Sequence, residues 1–175
     1  MTAPSSTAIQ LPAVGTYRID PTTSKITFNA KHMFGMGTVN GSFAVASGEI
    51  VVAEPVSGTR VTASASSQSF ESANPKRDTQ VKSESFLHAD AYPLISFSST
   101  TFVREGDRWV LRGEITARGT TAPVEFTLLE SHADAAGLML RATGTVDRYA
   151  HQITKMKGMA GRYLNLEISL RVTRI

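Results

Sequence analysis

The stretch LNLEISLRV, Leu164–Val172, alternates apolar and polar residues without interruption near the end of this 175-residue chain. Successive side chains of a β-strand point to opposite faces of the sheet, so this pattern predicts a strand with one buried face. Leucine, isoleucine and valine occupy the face predicted to be buried, whereas asparagine, glutamate, serine and arginine occupy the other. A strand of this kind indicates an antiparallel sheet with a core on one side.

The same alternation recurs along most of the chain. It begins at Tyr17, and short turns that contain glycine or aspartate separate most of the alternating segments. Eight or nine strands at this spacing predict an antiparallel sandwich or a closed barrel, and periodicity alone leaves both open. Parallel α/β architecture is excluded because the chain lacks crossover helices.

Several positions on the predicted inner faces carry small residues, and these bear on whether the interior is hollow. Small residues in a packed core leave voids that cost about 1 kcal/mol or more each, so their number favours an interior with room in it. The alternative, with equal weight, is that they face large aromatic side chains and that the core is full. The positions are Ala30, Gly41, Ala63, Ala65, Gly113, Ala142 and Gly144.

One segment, NPKRDTQVKSESFLHADAYP at 74–93, breaks the strand pattern. Charged residues and helix formers crowd it, and we predict a short amphipathic helix from Asp78, as its N-cap, to about His88. Laid over the end of the sheet, such a helix would be either a plug that closes the core or a lid over an interior site. Arg77, Asp78 and Arg148 would either form an ion pair that ties the helix to the sheet or meet the polar headgroup of a bound molecule.

Composition and charge exclude several classes of protein. The chain has no cysteine, which removes disulfides, thiolate catalysis and zinc–thiolate sites. The formal charge is only +3 and the basic residues are scattered, so we predict no nucleic-acid binding. No apolar run approaches the ~18–20 residues of a membrane-spanning helix, and no signal-peptide pattern is present. We therefore expect a cytoplasmic protein with a disordered tail at 1–14 and one domain at 15–175.

The recognised catalytic and metal-binding motifs are missing. The histidines lack the i,i+4 spacing of a helical metal site, and no P-loop, G-x-G-x-x-G or G-x-S-x-G motif occurs. The serines lie in no recognisable nucleophile context. We therefore predict no metal, no cofactor and no enzymatic activity. The four histidines are His32, His88, His132 and His151.

Five motifs, in their order and spacing, resemble the YceI-like family of lipid-binding proteins. The resemblance runs from about Gly15 to Ile175, and its most specific parts are the Arg77–Asp78 pair ahead of Ser-x-x-Phe and the pattern G-x-x-T-x-x-G-x-T at 113–121. The five motifs are YRID at 17–20, GMGTVNGSF at 35–43 after His32, NPKRDTQVKSESFLHADAYPLISFSST at 74–100, LRGEITARGTTAPVEF at 111–126 and ATGTVDRYAHQI at 142–153.

The resemblance implies an all-β fold, a lipocalin-like antiparallel β-barrel of about eight strands with one short helix. Known members bind polyisoprenoids or similar long-chain amphiphilic lipids in a hollow interior, without established catalysis. We therefore expect a protein that carries or sequesters a long apolar lipid, with a polyisoprenoid as the first candidate and the helix closing the tunnel. The expected ligand-binding residues are Phe28, His32, Phe43, Val61, Phe86, Phe97, Ile115, Phe126, Leu140, Ala142, Val146 and Leu166.

Two alternatives from other classes stay open, as does a homodimer. One is a lipid-acting hydrolase or stress-linked enzyme that uses His32 or His151 as a base, and the other is a filled barrel used for protein contacts. The chain also departs from the family pattern at Thr23, where relatives carry histidine, and at 150–152, where they carry an acidic-Phe-Gly stretch. These departures bear on the identity of the ligand.

Overall fold

The computed structural model describes residues 9–135 and 137–175. Within that part of the chain it contains ten β-strands, one α-helix and three single turns of 3-10 helix, at Val56–Gly58, Ser67–Ser69 and Arg148–His151. None of the described helices has the length and apolar character needed to span a bilayer. The strands are β1 Gly15–Ile19, β2 Lys25–His32, β3 Gly37–Phe43, β4 Val45–Val52, β5 Arg60–Ser66, β6 Leu94–Glu105, β7 Arg108–Ala117, β8 Thr120–Asp134, β9 Gly137–Asp147 and β10 Tyr163–Arg174, and the helix is α1 Pro75–Lys82.

The strands form a closed antiparallel barrel. Hydrogen-bonded neighbours follow the order β1, β4, β5, β6, β7, β8, β9 and β10, and β10 pairs back with β1 to close the ring. Tyr17 of β1 thus lies opposite Ile50 of β4 on one side and Arg174 of β10 on the other. The ring has eight strands, so the predicted lipocalin-like barrel of about eight strands is confirmed, and a sandwich is excluded.

Strands β2 and β3 extend the barrel at one end. β2 pairs with β10 along Asn165–Ser169, next to the stretch of β10 that pairs with β1. β3 pairs with β2 and leads directly into β4, so β1–β2 and β3–β4 each behave as one long strand with a bend. The other edge of β3 meets the segment that carries α1, where Ser42 and Glu71 exchange two backbone hydrogen bonds of 2.8 and 3.1 Å.

Helix α1 differs from the predicted helix at both ends. It begins at Pro75, and Asn74 is its N-cap, because the Asn74 side chain accepts a hydrogen bond of 3.1 Å from the backbone N–H of Arg77. An Asn-Pro pair is a strong start signal, since asparagine caps the free N–H groups and proline suits the first helical position. The prediction that the helix starts after Asp78 and continues to about His88 is therefore wrong, and the helix ends at Lys82.

The side chains expected to form an ion pair have other partners. Asp78 lies within α1 and accepts hydrogen bonds from the backbone N–H and the hydroxyl of Ser72, at 2.9 and 2.6 Å. Arg77 extends toward the same hydroxyl at 3.5 Å, and Arg148 donates to backbone carbonyls. No ion pair joins Arg77, Asp78 and Arg148, all of which lie in the described part of the chain. Asp78 instead ties α1 to the loop before it.

The segment before β1 lies along the end of the barrel that is remote from α1. Residues 1–8 of the predicted tail lie outside the described residues. Gln10 donates its backbone N–H to the carbonyl of Ser131 at 2.8 Å and accepts from the Ser131 hydroxyl at 2.6 Å. The Tyr17 hydroxyl donates to the Ala13 carbonyl at 2.7 Å. Residues 9–14 are therefore held against the barrel instead of leaving it.

Candidate ligand-binding cavities

Three cavities lie in a row inside the barrel. The central cavity has a volume of about 220 Å³ and shares wall residues Phe43 and Ile153 with a helix-end cavity of about 430 Å³ beneath α1. It shares Val61 and Ala142 with a far-end cavity of about 110 Å³ at the opposite end. An apolar cavity of about 150 Å³ is enough to bind benzene, so the central cavity has room for part of an apolar ligand.

The residues that line the central cavity are apolar except for four, Ser64, Ser96, Arg148 and His151, and the Ser64 hydroxyl bonds outside the barrel to Ser47. Phe97 and Phe126 meet edge to face in this wall, with ring centres 5.5 Å apart. A water molecule in a cavity needs two to four polar partners, and these walls offer few. The central cavity therefore suits hydrocarbon better than water.

The small inward residues fall into two groups. At the glycines, the ring of a cross-strand phenylalanine occupies the space that a side chain would fill; a Cβ at Gly144, for example, would lie 2.6 Å from Cδ1 of Phe126. The alanines instead line cavities: Ala63, Ala65 and Ala142 line the central cavity, and Ala30 lines the helix-end cavity. The interior is therefore filled by aromatic rings at the glycines and empty beside these alanines. The glycine–ring pairs are Gly41 with Phe28, Gly113 with Phe97 and Gly144 with Phe126.

Strand β10 shows the hollow interior directly. Its inward residues Leu164, Leu166, Ile168 and Leu170 are only half-buried, although they face the inside of a closed barrel. Each of them lines at least one of the three cavities, which accounts for the exposure of their side chains. Val172, further toward the end of the strand, is fully buried.

Arg148 lies at the boundary between the central and helix-end cavities and is 6% exposed. Its guanidinium donates to the carbonyls of Gly161, Ile153 and Ala160, at 2.7, 2.8 and 3.0 Å, and lies 5.7 Å from the ring centre of Phe86. Burial lowers the pKa of Arg148 from its ordinary value, but arginine stays protonated in proteins. A positive charge balanced by carbonyl dipoles therefore borders the apolar space.

His32 and His151 lie in different cavities. His151 lines the central cavity, is 3% exposed, and donates from Nδ1 to the Thr120 carbonyl at 2.8 Å, because a carbonyl oxygen can only accept. His32 lines the helix-end cavity with its ring against Gly37, where a Cβ would overlap it. Within 9–135 and 137–175, neither ring is hydrogen-bonded to a serine or a carboxylate, the partners used in nucleophilic catalysis. The same residues contain no metal-binding group of three or more His, Asp or Glu.

Each of the twelve residues predicted from the sequence to bind ligand lines at least one of the three cavities. Their contact with a ligand stays a prediction that binding measurements test. The helix-end cavity contains Phe28, His32, Phe43 and Phe86; the central cavity contains Phe43, Val61, Phe97, Ile115, Phe126, Ala142, Val146 and Leu166; and the far-end cavity contains Val61, Phe126, Leu140 and Ala142.

The part of the β9–β10 connection at 153–162 contains cavity residues that were not predicted from the sequence. Ile153, Met156, Met159 and Ala160 line the helix-end cavity. The connection has no strand or helix period, so burial could not be inferred from its pattern. The available signal was composition, because four of the six methionines lie in two short stretches, 33–36 and 156–159.

Comparison with known protein families covers almost the whole described barrel. Residues 17–173 match a family described as the YceI-like domain. This chain belongs to the YceI-like family. The match extends from within β1 to within β10, so the eight-stranded ring, α1 and the connection that contains Arg148 all belong to the YceI-like region. The resemblance inferred from the five motifs is confirmed.

One curated relative and two solved structures resemble this chain at low sequence identity. A UPF0312 protein of Pectobacterium atrosepticum is 28% identical over 155 residues, which are 85% of this chain and 80% of that protein. BcnA of Burkholderia cenocepacia has a TM-score of 0.75 at 16% identity, over 89% of this chain and 99% of that chain. A polyisoprenoid binding domain from Saccharophagus degradans, implicated in plant cell wall breakdown, has a TM-score of 0.65 at 9% identity, over 91% and 98%.

Proposed function

We propose that this YceI-like protein binds a long-chain apolar lipid inside its barrel, with a polyisoprenoid as the first candidate, and carries or sequesters it. The row of three cavities, with an apolar central cavity, is the observation that carries the proposal. The polyisoprenoid binding domain from Saccharophagus degradans supports it, because that domain has the same fold. The proposed role is the binding of the lipid, which the apolar lining of the central cavity supports.

The distribution of polar side chains supports one orientation of the lipid. His32, Arg77 and Gln80 line the helix-end cavity together with Arg148, whereas the central cavity is almost entirely apolar. The far-end cavity is lined mainly by apolar residues such as Leu11; its two polar lining residues are Thr59 and Arg141, and the Arg141 guanidinium is paired with two glutamates. An amphiphile with one polar end therefore fits with its headgroup at the helix end and its tail pointing toward the far end.

Simple energetics sets a minimum length for the ligand. Burial of apolar carbon contributes about 0.8 kcal/mol per CH₂, so a fully enclosed isoprene unit contributes roughly 3–4 kcal/mol. Binding costs about 4–15 kcal/mol in lost freedom and in the ordering of side chains. One or two isoprene units should therefore bind poorly, and affinity should rise with chain length until the cavities are full.

A titration of chain length tests the proposal. Prenyl alcohols of about ten, twenty and forty carbons compete for the barrel against a fluorescent fatty probe, and affinity is expected to increase along this series. The Phe97→Ala variant, which removes a ring from the central wall, should weaken the longer alcohols most. Equal affinity for the shortest and the longest alcohol would contradict a tunnel that encloses the chain.

A second test asks what the protein carries after purification. Protein prepared without detergent is extracted with organic solvent, and mass spectrometry should find a long-chain species at a substantial fraction of one per chain. The purified protein is then incubated with added polyprenyl lipid and extracted again, which should return the lipid chemically unchanged. An empty first extract together with no uptake of added lipid would overturn the proposal, and a chemically altered lipid would replace it with an enzymatic function.

A further inference from the structure

Five large apolar side chains project into solvent beside the helix-end cavity. Met36 is 87% exposed and Phe34 is 77% exposed, and Met33, Met156 and Met159 are each nearly half exposed. We call these five residues the mouth surface. Single exposed apolar residues are common on proteins, but a contiguous group marks an interaction site.

The mouth surface is one structure, although its residues come from two loops. The backbone N–H of Met33 donates to the carbonyl of Met159 at 2.9 Å, and that of Phe34 donates to the carbonyl of Gly158 at 2.6 Å. The Phe34 ring lies over Gly158, where a Cβ would overlap it. Met33, Met156 and Met159 also line the helix-end cavity. The mouth surface is therefore the rim of this cavity.

Turn chemistry does not account for these residue types. Met33, Phe34 and Met156 have φ values of 51°, 56° and 55°, in the left-handed region that favours glycine and asparagine. Large apolar residues occupy these positions, and Phe34 among them buries little of its surface in the barrel. Strained residues of this kind concentrate at functional sites. Their side chains therefore have a use outside the folded chain.

Exposed lysines border the mouth surface. The segments 31–37 and 148–162 contain three lysines and two arginines; one arginine is buried and the other pairs with Asp147, which leaves the three exposed lysines. Lys155 and Lys157 are exposed on either side of Met156, and the exposed Lys76 of α1 lines the helix-end cavity. An apolar patch bordered by lysines is complementary to the surface of an anionic bilayer, which presents phosphate groups above hydrocarbon.

We propose that the mouth surface docks the barrel on an anionic lipid bilayer. Phe34 and Met36 insert among the acyl chains just below the headgroups, and Lys155 and Lys157 lie at the level of the phosphates. Methionine is flexible and polarizable, and aromatic rings favour the bilayer interface, so the composition suits lipid. In this orientation the helix-end cavity opens onto the bilayer, and a lipid would pass between them without crossing water. This inference goes beyond the proposed function, because docking does not depend on which lipid the barrel holds.

Vesicle flotation tests the docking surface with the full chain. Vesicles of phosphatidylcholine alone are compared with vesicles that also contain phosphatidylglycerol, and we expect binding to the anionic vesicles that weakens as salt is added. The double variant Phe34→Ser with Met36→Ser should reduce partitioning by about tenfold or more. The double variant Lys155→Gln with Lys157→Gln should lose the preference for anionic vesicles.

Matched controls lie at the other end of the barrel. Ile175→Ser removes an apolar side chain that is 56% exposed, and Arg108→Gln removes an exposed charge beside the β6–β7 turn. Both variants should float like the wild type. Equal losses in the control and mouth-surface variants would overturn the proposal. A wild-type protein that binds neither kind of vesicle would also overturn it and would leave a protein partner as the occupant of the mouth surface.

The absence of cysteine permits a second measurement that does not depend on loss of binding. The variants Met36→Cys and Ile175→Cys each carry one thiol, which is labelled with an environment-sensitive fluorophore. Anionic vesicles should shift the emission of the label at 36 to shorter wavelength and leave the label at 175 unchanged. A shift at 175 without a shift at 36 would show that the opposite end meets the bilayer and would overturn the proposal.

Discussion

The ring of Phe126 in β8 lies over the backbone of Gly144, its direct partner in β9. Phe28 of β2 and Gly41 of β3 repeat this arrangement elsewhere in the barrel. Because glycine has no side chain to hold the ring away, each ring lies against the neighbouring strand and leaves space nearer the axis. The aromatic side chains thereby thicken the wall without filling the interior, and Phe126 still borders the central cavity.

We predict that Gly144→Ala destabilises the barrel and weakens lipid binding together. The new Cβ would lie 2.6 Å from both Phe126 Cδ1 and the carbonyl oxygen of Glu125, so the ring must move into the cavity. We expect a loss of about 1–3 kcal/mol in the free energy of unfolding, measured in urea, and a lower affinity in lipid titrations. Gly58→Ala is the control, because its Cβ would meet only Ala53, at 3.3 Å. If Gly144→Ala and Gly58→Ala lost the same stability and the same lipid affinity, the steric explanation would be contradicted.

Ala142→Leu should separate binding from stability. Ala142 of β9 lines both the central and the far-end cavity, so the larger side chain would extend into empty space. We expect the free energy of unfolding to fall by less than about 1 kcal/mol, whereas an already filled site would lose about 1–3 kcal/mol through overpacking. Lipid affinity should fall, most clearly for the longest ligands. The exposed Ala46→Leu in β4 is the control for both measurements. If Ala142→Leu lowered the free energy of unfolding and kept normal lipid affinity, the result would show that this position is packed.

Arg148→Met should cost about 2–4 kcal/mol of unfolding free energy, measured by chemical denaturation. The substitution leaves the carbonyls of Ile153, Ala160 and Gly161 without the donors that the guanidinium supplies. Arg148→Lys should recover only part of the loss, since one ammonium group cannot reach three separated carbonyls as a planar guanidinium does. Arg108→Met, at an exposed site, should change stability by less than about 0.5 kcal/mol. Full recovery with lysine would contradict the role of the three carbonyl bonds.

The pair of Asp147 and Arg162 should make stability depend on pH. Arg162 donates two hydrogen bonds to the Asp147 carboxylate, at 3.0 and 2.9 Å, and these bonds are the main cause that lowers the pKa of Asp147 below its ordinary 3.8. A carboxyl whose pKa is lower in the folded state stabilises the fold fully at pH values above the pKa that it has in the unfolded chain. This stabilisation is lost as the pH falls through the pKa that it has in the folded chain. Asp147→Asn should therefore be less stable than the wild type at about pH 6, and the difference should shrink below pH 3.8.

Denaturant unfolding at a series of pH values measures this difference. Asp107→Asn, in the exposed turn between β6 and β7, is the matched control and should follow the wild type throughout. A difference between wild type and Asp147→Asn that stays constant down to about pH 2 would show that the ion pair does not contribute through its ionised form.

The amino-acid sequence by itself determined the strands and the faces that they bury. In Leu164–Val172 and its counterparts, the direction of each side chain follows from the extended backbone of that strand alone, so alternation is a local property. The motifs were sufficient for the family, and the inward residues predicted from the alternation line the cavities. The start of α1 was also a local signal, because Asn74–Pro75 carries both the cap and the first helical residue. Asp78, the N-cap predicted from the sequence, instead bonds the hydroxyl of Ser72.

Only the tertiary structure decided closure and the position of the empty space. No residue of β10 specifies that the strand pairs with β9 on one side and with β1 and β2 on the other, because such pairing joins segments far apart in the chain. The same holds for the small inward residues. Gly144 is filled because the register sets Phe126 opposite to it, whereas Ala142, two residues away, borders a cavity. A side chain's direction is set within its own strand, but what it meets depends on the register between strands, and that register is fixed only when the barrel closes.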